Sequence, residues 1–496
     1  MDINKEYSCL EQNCIVYKKC IENDEDYQEA LPGYCDDVFR VVKCNSKSYI
    51  TSINVEYGEL KIFGRTEICL TYLNENSSLC YADFEEEFSK SVEIENLTDK
   101  AFAQAVVSTK YTSYKVINQR KISIHNTISI KTAVYDRVSC PCIKSCERSK
   151  LKIDEIKCAS VIDSNTSKID IDEEIALPAD SCDIKRIVSS SSYAALDEIK
   201  IIKDKALIKG TVYTKLLYIQ DDESEKICRY EYSFALSRII DCQGITENDI
   251  AVSQISIGNL YFKLKTNSSN KVSCVEIFGE ASVSTVFIRE STHNVVVDGY
   301  MIKNNSECSY SEINCRANGR CYSNKSTQKL SYKANSGLSE ILEVELQPQP
   351  TEFKDGCLVC PISASILYKN AENEIMSTVD TKEFKIEFEG CDDAIGAFSV
   401  ESYDYTISND DCVEVRVCVN TTAYVFNNKT VKVLSEIYPT DDVFQSPALT
   451  IYFARANESV WSIAKAFASD TDLILKENNL TSDTIDCNRT IIIPGI

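Results

Sequence analysis

The chain has 496 residues, a formal net charge of −23 and 44% hydrophobic residues. The acid excess argues against nucleic acid, which needs clustered Lys and Arg, and against anionic membranes. No apolar run approaches the length of a membrane-spanning helix, so we expect no membrane insertion, and the length predicts several domains.

Two segments of the chain repeat each other at a constant spacing of 146 residues. The matched pairs are Gly64 with Gly210, Tyr72 with Tyr218 and Phe88 with Phe234. A third, more degenerate copy contains Tyr368 and Phe384, with Cys360 in place of the glycine. A constant offset at this many positions indicates tandem duplication of one structural unit.

Within each unit, apolar and polar residues alternate. Residues 122–130 and 412–419 show this period of two, which is typical of half-buried strands. Their content of Ile, Val, Tyr and Thr favours antiparallel sheets. We therefore predict a mainly β fold with three tandem antiparallel β-sandwich-like domains and a small C-terminal module. The predicted boundaries are 1–147, 148–300, 301–445 and 446–496.

The C-terminal module changes to helical periodicity. The pattern predicts a strand at residues 451–455 and two short helices at 457–467 and 470–478. It predicts a closing strand at residues 489–494. The order of elements is therefore β-α-α-β.

This module resembles a LysM domain. The residues that carry the resemblance are Asn457-Glu458-Ser459-Val460-Trp461-Ser462-Ile463-Ala464, Asn478 and Ile493-Pro494. The resemblance implies binding of a glycan that contains N-acetylglucosamine, or of a protein partner. It also implies that Trp461 packs in the core of the module. The candidate binding residues are Asn457, Glu458, Ser459, Val460, Asn478 and Asn479.

The three upstream units resemble SPOCS domains of spore coat assembly proteins. The segments Gly64 to Tyr72 and Gly210 to Tyr218, the phenylalanines that follow them, and residues 114–122 carry this resemblance. Several SPOCS units followed by one LysM domain is the architecture of SipL-type spore morphogenesis proteins. The resemblance implies a protein of the bacterial endospore.

Cysteine is unusually abundant, with 24 residues beside only two histidines. The chain begins with neither the basic nor the apolar region of a secretion signal, so we expect synthesis in the mother-cell cytoplasm. Oxidation at the spore surface after lysis of that cell would then permit disulfides. The candidate disulfide or cross-link residues lie mainly before each repeat and at the junctions: Cys9, Cys14, Cys20, Cys35, Cys44, Cys140, Cys142, Cys146, Cys158, Cys182, Cys308, Cys315, Cys321, Cys357, Cys360 and Cys487.

Other roles for cysteine remain open at this point. The spacings Cys140-Pro141-Cys142-x3-Cys146 and Cys357-x2-Cys360 are compatible with zinc. Histidine is almost absent and a clean second Cys-x2-Cys pair is missing, so we predict no metal and no cofactor. Cys357 and Cys360 also match the spacing of a redox dithiol, although they lie in strand-like sequence. A few thiols are expected to be plain core residues, among them Cys69, Cys274 and Cys418.

The sequence contains no catalytic constellation. Neither His125 nor His293 lies near a cysteine or serine motif that would make it a base, so we expect no enzyme. The leading hypothesis is a self-assembling structural protein of the spore coat, exosporium or an appendage, cross-linked by disulfides. The alternatives are an adaptor that binds a coat scaffold protein and a protein that binds peptidoglycan through its LysM module.

Overall fold

A computed structural model describes residues 3–177, 183–222, 226–267, 271–335, 337–409, 411–443 and 447–495. Within these residues the chain forms almost only β-strands, with two short helices near the C-terminus. The predicted fold class is confirmed: the protein is mainly β and ends in a βααβ module. No helix in the described ranges is long and apolar enough to cross a membrane.

The first unit is a sandwich of two three-stranded sheets. One sheet has the order β1-β6-β5 and the other the order β2-β3-β4, and all neighbours are antiparallel. The long first strand thus pairs with the long last strand of the unit. The strands are β1 (Lys5–Ala30), β2 (Arg40–Glu56), β3 (Glu59–Leu73), β4 (Leu79–Glu93), β5 (Phe102–Asn118) and β6 (Lys121–Cys146).

The second unit repeats this arrangement, with sheets β7-β12-β11 and β8-β9-β10. Its strands are β7 (Ser149–Ala176), β8 (Ile184–Ile202), β9 (Lys205–Gln220), β10 (Ile227–Asp241), β11 (Ile250–Thr266) and β12 (Val272–Met301).

The third unit follows the same plan, with β13-β19-β18 in one sheet and β14, β15 and β17 all paired with β16 in the other. Its strands are β13 (Asn304–Lys333), β14 (Leu338–Pro348), β15 (Glu352–Lys354), β16 (Cys357–Asn370), β17 (Ile375–Glu387), β18 (Asp393–Asn409) and β19 (Cys412–Val443). Strands β7 and β13 are paired at Ala159 and Arg316, which joins sheets of the second and third units.

The alternation of apolar and polar residues places the apolar side chains between the two sheets of each sandwich, where they form its core. In β6, Asn126 is buried on the same face as Ile122, Ile124, Ile128 and Ile130, and these four isoleucines are all buried. They pack against apolar residues of β3 and β4 in the opposite sheet. Because successive side chains of a strand point to opposite faces, the period of two produces one apolar face per sheet.

The repeat glycine at position 64 makes room for a close approach between strands. A Cβ atom at Gly64 would lie 2.2 Å from Cζ of Phe88 and 2.6 Å from the backbone oxygen of Tyr49. We expect Gly64→Ala to lower the free energy of unfolding by about 1–3 kcal/mol, because the backbone cannot move aside cheaply. Urea unfolding measures this. Gly33→Ala is the matched control, since nothing lies within 4 Å of its added Cβ, and equal effects of the two variants would contradict the prediction.

Successive units are connected by two-residue turns. Glu147 and Arg148 connect β6 to β7, and Ile302 and Lys303 connect β12 to β13. Arg148 and Lys303 have φ values of 56° and 66°, in the left-handed region that tight hairpin loops require. The short connections keep the long outer strands of neighbouring units close together.

Equivalent strands of the three units meet at a polar centre that we call the hub: Lys43, Ser189, Glu343 and Glu345. The Lys43 Nζ atom lies 3.3 Å from Oε2 of Glu343 and 2.9 Å from Oε2 of Glu345. Ser189 Oγ donates to Oε2 of Glu343 at 2.7 Å. These residues come from β2, β8 and β14, one strand per unit. The hub therefore joins all three units at one point.

The hub also shows how the units are related. Lys43, Ser189 and Glu343 pair across their sheets with Thr71, Leu217 and Leu367. In each case a register shift directly precedes the hub residue, so Lys43, Ser189 and Glu343 occupy the same position in their units. Apolar residues from all three units surround them: Leu73, Leu79, Val188, Leu217, Ile219, Leu342 and Leu367. The units thus pack around an approximate threefold axis.

The C-terminal module has the order β20 (Leu449–Ala454), α1 (Val460–Ala466), α2 (Thr471–Glu477) and β21 (Arg489–Pro494). Strands β20 and β21 pair antiparallel. Each helix begins after a side chain that caps its free N–H groups: Ser459 accepts from the N–H of Ser462, and Asp470 accepts from the N–H of Asp472.

Candidate functional site

The C-terminal module is docked on the end of the second unit. Tyr300 of β12 is buried in the apolar core of the module, and its ring packs edge-on against Trp461 with centroids 5.1 Å apart. The Trp461 Nε1–H group donates to Oδ2 of Asp298 at 2.8 Å. Lys465 forms an ion pair with Asp298 at 2.5 Å, and Lys150 pairs with Asp470 at 3.0 Å. Trp461 therefore contributes both to the module core and to docking.

The first loop of the module contains four of the predicted binding residues. Asn457 is exposed, with φ of 69°, whereas Val460 is fully buried. Ser459 is the cap of α1. The Glu458 carboxylate accepts hydrogen bonds from the N–H of Arg455 at 3.0 Å and the hydroxyl of Tyr452 at 2.7 Å. These two bonds lower the pKa of Glu458. Three of the four residues thus shape the loop, and Asn457 is left on its surface.

The remaining two predicted binding residues lie after α2 and have different environments. Asn478 is buried: its Nδ2 donates to the carbonyls of Ile474 and Ile492 at 2.8 and 2.7 Å, and its Oδ1 accepts from the N–H of Ile492 at 2.6 Å. It ties α2 to β21. Asn479 is exposed and has φ of 50°.

We expect Asn478→Ala to destabilise the module by about 1–3 kcal/mol, because it leaves buried backbone groups without partners. Thermal unfolding monitored by Trp461 fluorescence reports on this module, since the chain contains one tryptophan. Asn479→Gly is the matched control, because it removes an exposed carboxamide and keeps the left-handed backbone at no steric cost. An Asn478→Ala module as stable as the control would refute a structural role for Asn478.

Backbone hydrogen bonds join the first loop to the loop between α2 and β21. The N–H of Asn457 donates to the carbonyl of Ile485 at 2.8 Å, and the N–H of Val460 donates to Asp483 at 2.7 Å. Ser459 and Thr484 form an isolated β-bridge. The two loops therefore form one surface, on which Asn457, Thr484 and Cys487 are exposed.

All 23 cysteines in the described part of the chain are thiols, and Cys182 lies outside the described residues. Among the candidates, four are exposed at separate places: Cys9 and Cys20 on β1, Cys321 on β13, and Cys487 in the C-terminal module. Four are buried: Cys142, Cys158, Cys315 and Cys360. The others have intermediate exposure: Cys14, Cys35, Cys44, Cys140, Cys146, Cys308 and Cys357. No group of three or more Cys, His, Asp and Glu in the described ranges is arranged to hold a metal ion.

The structure separates one pair of cysteines that the sequence places together. Cys357 and Cys360 are three residues apart on β16 and therefore point to opposite faces of the sheet. Cys360 is fully buried, and burial raises its pKa to about 12, whereas Cys357 lies near the surface. This geometry does not form the vicinal dithiol that their spacing suggests.

Another pair is brought together from distant parts of the sequence. Cys158 of β7 and Cys315 of β13 lie in one buried apolar cluster, and each thiol shifts the pKa of the other. The interaction joins the second unit to the third. Sequence spacing carries no signal for this pair, because the contact depends on how two separate units pack.

Each histidine has a side-chain contact with a polar residue. His125 Nδ1 lies 2.9 Å from Oδ1 of Asp26 on the paired strand β1. His293 Nε2 lies 2.7 Å from Oγ of Ser291, two residues earlier on the same face of β12. The second contact is one that the sequence motifs did not reveal.

Comparison with family models finds two matches. Residues 183–265 match the model described as SipL, SPOCS domain, and residues 454–494 match the LysM domain. The first match covers β8 to β11 of the second unit, and the second covers most of the C-terminal module. No significant match was found among curated proteins or among solved structures. The chain thus carries a SipL-type SPOCS domain and a C-terminal LysM domain, and the resemblance inferred from the sequence is confirmed.

Proposed function

We propose that the protein is a structural, self-assembling component of the outer surface of a bacterial endospore, in the coat, the exosporium or an appendage. The SPOCS and LysM matches support a spore-associated protein. The observation that carries the assembly proposal is the placement of Cys9, Cys20, Cys321 and Cys487 at exposed positions in different parts of the fold. A subunit with more than one external cross-link position can extend a polymer in two or more directions.

Cross-linking is chemically simple at such positions. Two thiols of neighbouring subunits lose two protons and two electrons to molecular oxygen or a small disulfide, and one S–S bond forms. The net charge of −23 makes copies of the chain repel each other, so covalent bonds and screening by salt would both favour assembly. The partner in this proposal is a second copy of the chain, together with other spore coat proteins.

The test uses the full-length protein under oxidising conditions. We expect disulfide-linked oligomers on non-reducing electrophoresis and ordered assemblies in electron micrographs, both reversed by reductant. A variant with serine at positions 9, 20, 321 and 487 should lose the linked oligomers. Cys360→Ser, at a buried thiol, is the matched control and should retain them. A monomer that is insensitive to reductant and forms no ordered assemblies would refute the proposal.

A second candidate function is that of an adaptor which binds a coat scaffold protein through the LysM module. The outer face of the β20–β21 sheet supports it, because Leu449, Ile451 and Phe453 are exposed on that face. An exposed apolar patch of this kind marks interaction surfaces in other proteins. This function predicts mostly reduced cysteines and a defined heteromeric partner, which thiol alkylation and mass spectrometry of protein isolated from spores distinguish from the first.

Binding to peptidoglycan is the remaining alternative, supported by the LysM match. A pull-down on insoluble peptidoglycan tests it. The useful variants are Asn457→Gly and Asn479→Gly, which remove exposed carboxamides and preserve the left-handed backbone. Substitutions of Trp461 or Asn478 would instead disturb docking or folding. Retention of the wild type and loss of both variants would favour glycan binding over the other functions.

A further inference from the structure

The first strands of the three units converge at one place in the fold. Gln12 Nε2 of β1 donates to the carbonyl of Asn314 at 3.1 Å, and Asn13 Nδ2 donates to the carbonyl of Val161 at 2.9 Å. Ala159 of β7 is paired with Arg316 of β13. Residues of β1, β7 and β13 therefore contact one another directly, at a site that includes none of the hub residues.

Cysteines from all three strands lie at this convergence: Cys14, Cys158 and Cys315. Cys158 and Cys315 flank the pairing of Ala159 with Arg316. In an antiparallel pair with that register, residues 158 and 315 lie on the same face in diagonal positions. Both side chains are buried, with 5% and 2% exposure, in one apolar cluster with Ile156, Ile313 and Val433.

The two thiols share one buried cluster and differ in reactivity. Interaction with the neighbouring Cys158 thiol lowers the pKa of the Cys315 thiol, and Lys429, its partner on β19, acts in the same direction against the effect of burial. The same interaction, together with burial, raises the pKa of Cys158. Cys315 is therefore the better nucleophile of the pair, since the thiolate is the reactive form.

We propose that Cys158 and Cys315 form a disulfide that locks the second unit to the third when the protein meets an oxidant. The Cys315 thiolate attacks a low-molecular-weight disulfide, forms a mixed disulfide and releases one small thiolate. The sulfur of Cys158, after losing its proton, attacks Cys315 and releases the second small thiolate. Two protein thiols are thereby oxidised, and the small disulfide is reduced to two thiols.

The bond needs a modest adjustment of the backbone. Diagonal residues of an antiparallel pair have Cα atoms about 7–8 Å apart, whereas disulfides span roughly 4.4–6.8 Å. Strands β7 and β13 are paired at a single position, so they can approach each other without breaking a continuous ladder. Transient separation of the units at this junction admits the small disulfide.

This inference rests on the proposed function for its oxidant, since the outer surface of a spore is where the protein would meet one. It differs from that function in the bond it specifies. The proposed polymer depends on exposed thiols between subunits, whereas the Cys158–Cys315 bond forms within one subunit. Either bond can form without the other.

The test begins with reduced, folded, full-length protein treated with oxidised glutathione. The monomer fraction is alkylated, digested without reduction and mapped by mass spectrometry. We expect a peptide pair that links Cys158 to Cys315. In Cys158→Ser, Cys315 should instead carry glutathione, because the resolving thiol is absent. Cys360→Ser, which removes a buried thiol elsewhere in the third unit, should leave the link unchanged.

A measurement of stability accompanies the peptide mapping. In the wild type, oxidation should reduce the unfolded fraction at a fixed urea concentration by about thirtyfold or more, as expected for a cross-link that closes a long loop. Cys158→Ser and Cys315→Ser should show no such protection. Alkylation of both cysteines after oxidation, or a link from Cys315 to Cys14 instead, would overturn the proposal. Both outcomes leave the test of intermolecular cross-linking unaffected.

Discussion

Replacing Lys43 with methionine should reduce the free energy of unfolding by about 3–5 kcal/mol, because it leaves buried carboxylates without their counter-charge. Lys43 and Glu343 each have side chains only 4% exposed, in the centre of the three units. Burial alone would lower the pKa of Lys43, but the charges of Glu345 and Glu343 outweigh it and raise that pKa. Urea unfolding of the full-length protein measures the loss.

Two further variants distinguish the cost of an unpaired buried carboxylate from a general effect of replacing a lysine. Adding Glu343→Gln to Lys43→Met should recover much of the stability, because it removes a carboxylate charge and keeps an acceptor for Ser189. Lys329→Met removes an ion pair with Glu414 at 3.1 Å whose lysine is 64% exposed. This exposed control should cost at most about 1 kcal/mol. Equal losses in Lys43→Met and Lys329→Met would show that the hub does not hold the units together.

Replacing Tyr300 with alanine should release the LysM module from the second unit. The ring of Tyr300 is 1% exposed and packs in the core of the module, and its hydroxyl donates to the carbonyl of Ser469 at 2.9 Å. Truncating a buried aromatic side chain typically costs about 3–5 kcal/mol. Small-angle X-ray scattering should show a larger radius of gyration, and limited proteolysis should yield a LysM fragment.

The control for Tyr300→Ala is Tyr34→Ala, which removes a tyrosine that is largely exposed. It should change stability by about 0.5 kcal/mol or less, with no change in scattering. Trp461→Phe adds a finer comparison, because it removes the indole hydrogen bond to Asp298 and keeps an aromatic ring. A Tyr300→Ala protein with an unchanged radius of gyration would mean that the polar contacts of Asp298 and Lys150 suffice for docking.

The strands and the C-terminal module are predictable from local patterns. Alternating residues such as Ile122 and Ile124 determine which face of a strand is buried, and that information is present within a few residues. The LysM motif around Trp461 likewise lies in one short segment. The role of Asn478 is harder to recognise. The sequence does not distinguish an asparagine that binds a ligand from one that hydrogen-bonds to the backbone.

The packing of the units is not predictable in this way. Lys43 and Ser189 are equivalent in the repeat, but one is a cation and the other a hydroxyl, so no shared motif marks them. Glu343 does not fall at the constant 146-residue spacing. The third unit has a shorter segment between its hub residue and the residue paired with it than the second unit has. The contacts of Asp298 with Trp461 and of Cys158 with Cys315 also join residues that lie far apart in sequence, where side-chain identity alone indicates no partner.

The hub has a consequence for the order in which the protein is made. Lys43 is translated 300 residues before Glu343. At typical synthesis rates of about 5–20 residues per second, roughly 15–60 seconds pass between the synthesis of Lys43 and the synthesis of the glutamates that pair with it. During that time the lysine and the apolar residues around it are exposed to other nascent chains of the same polysome. Synthesis of β14 covers this surface, so a ribosome that stalls in the third unit before β14 leaves a product in which Lys43 has no counter-charge and these apolar residues are uncovered.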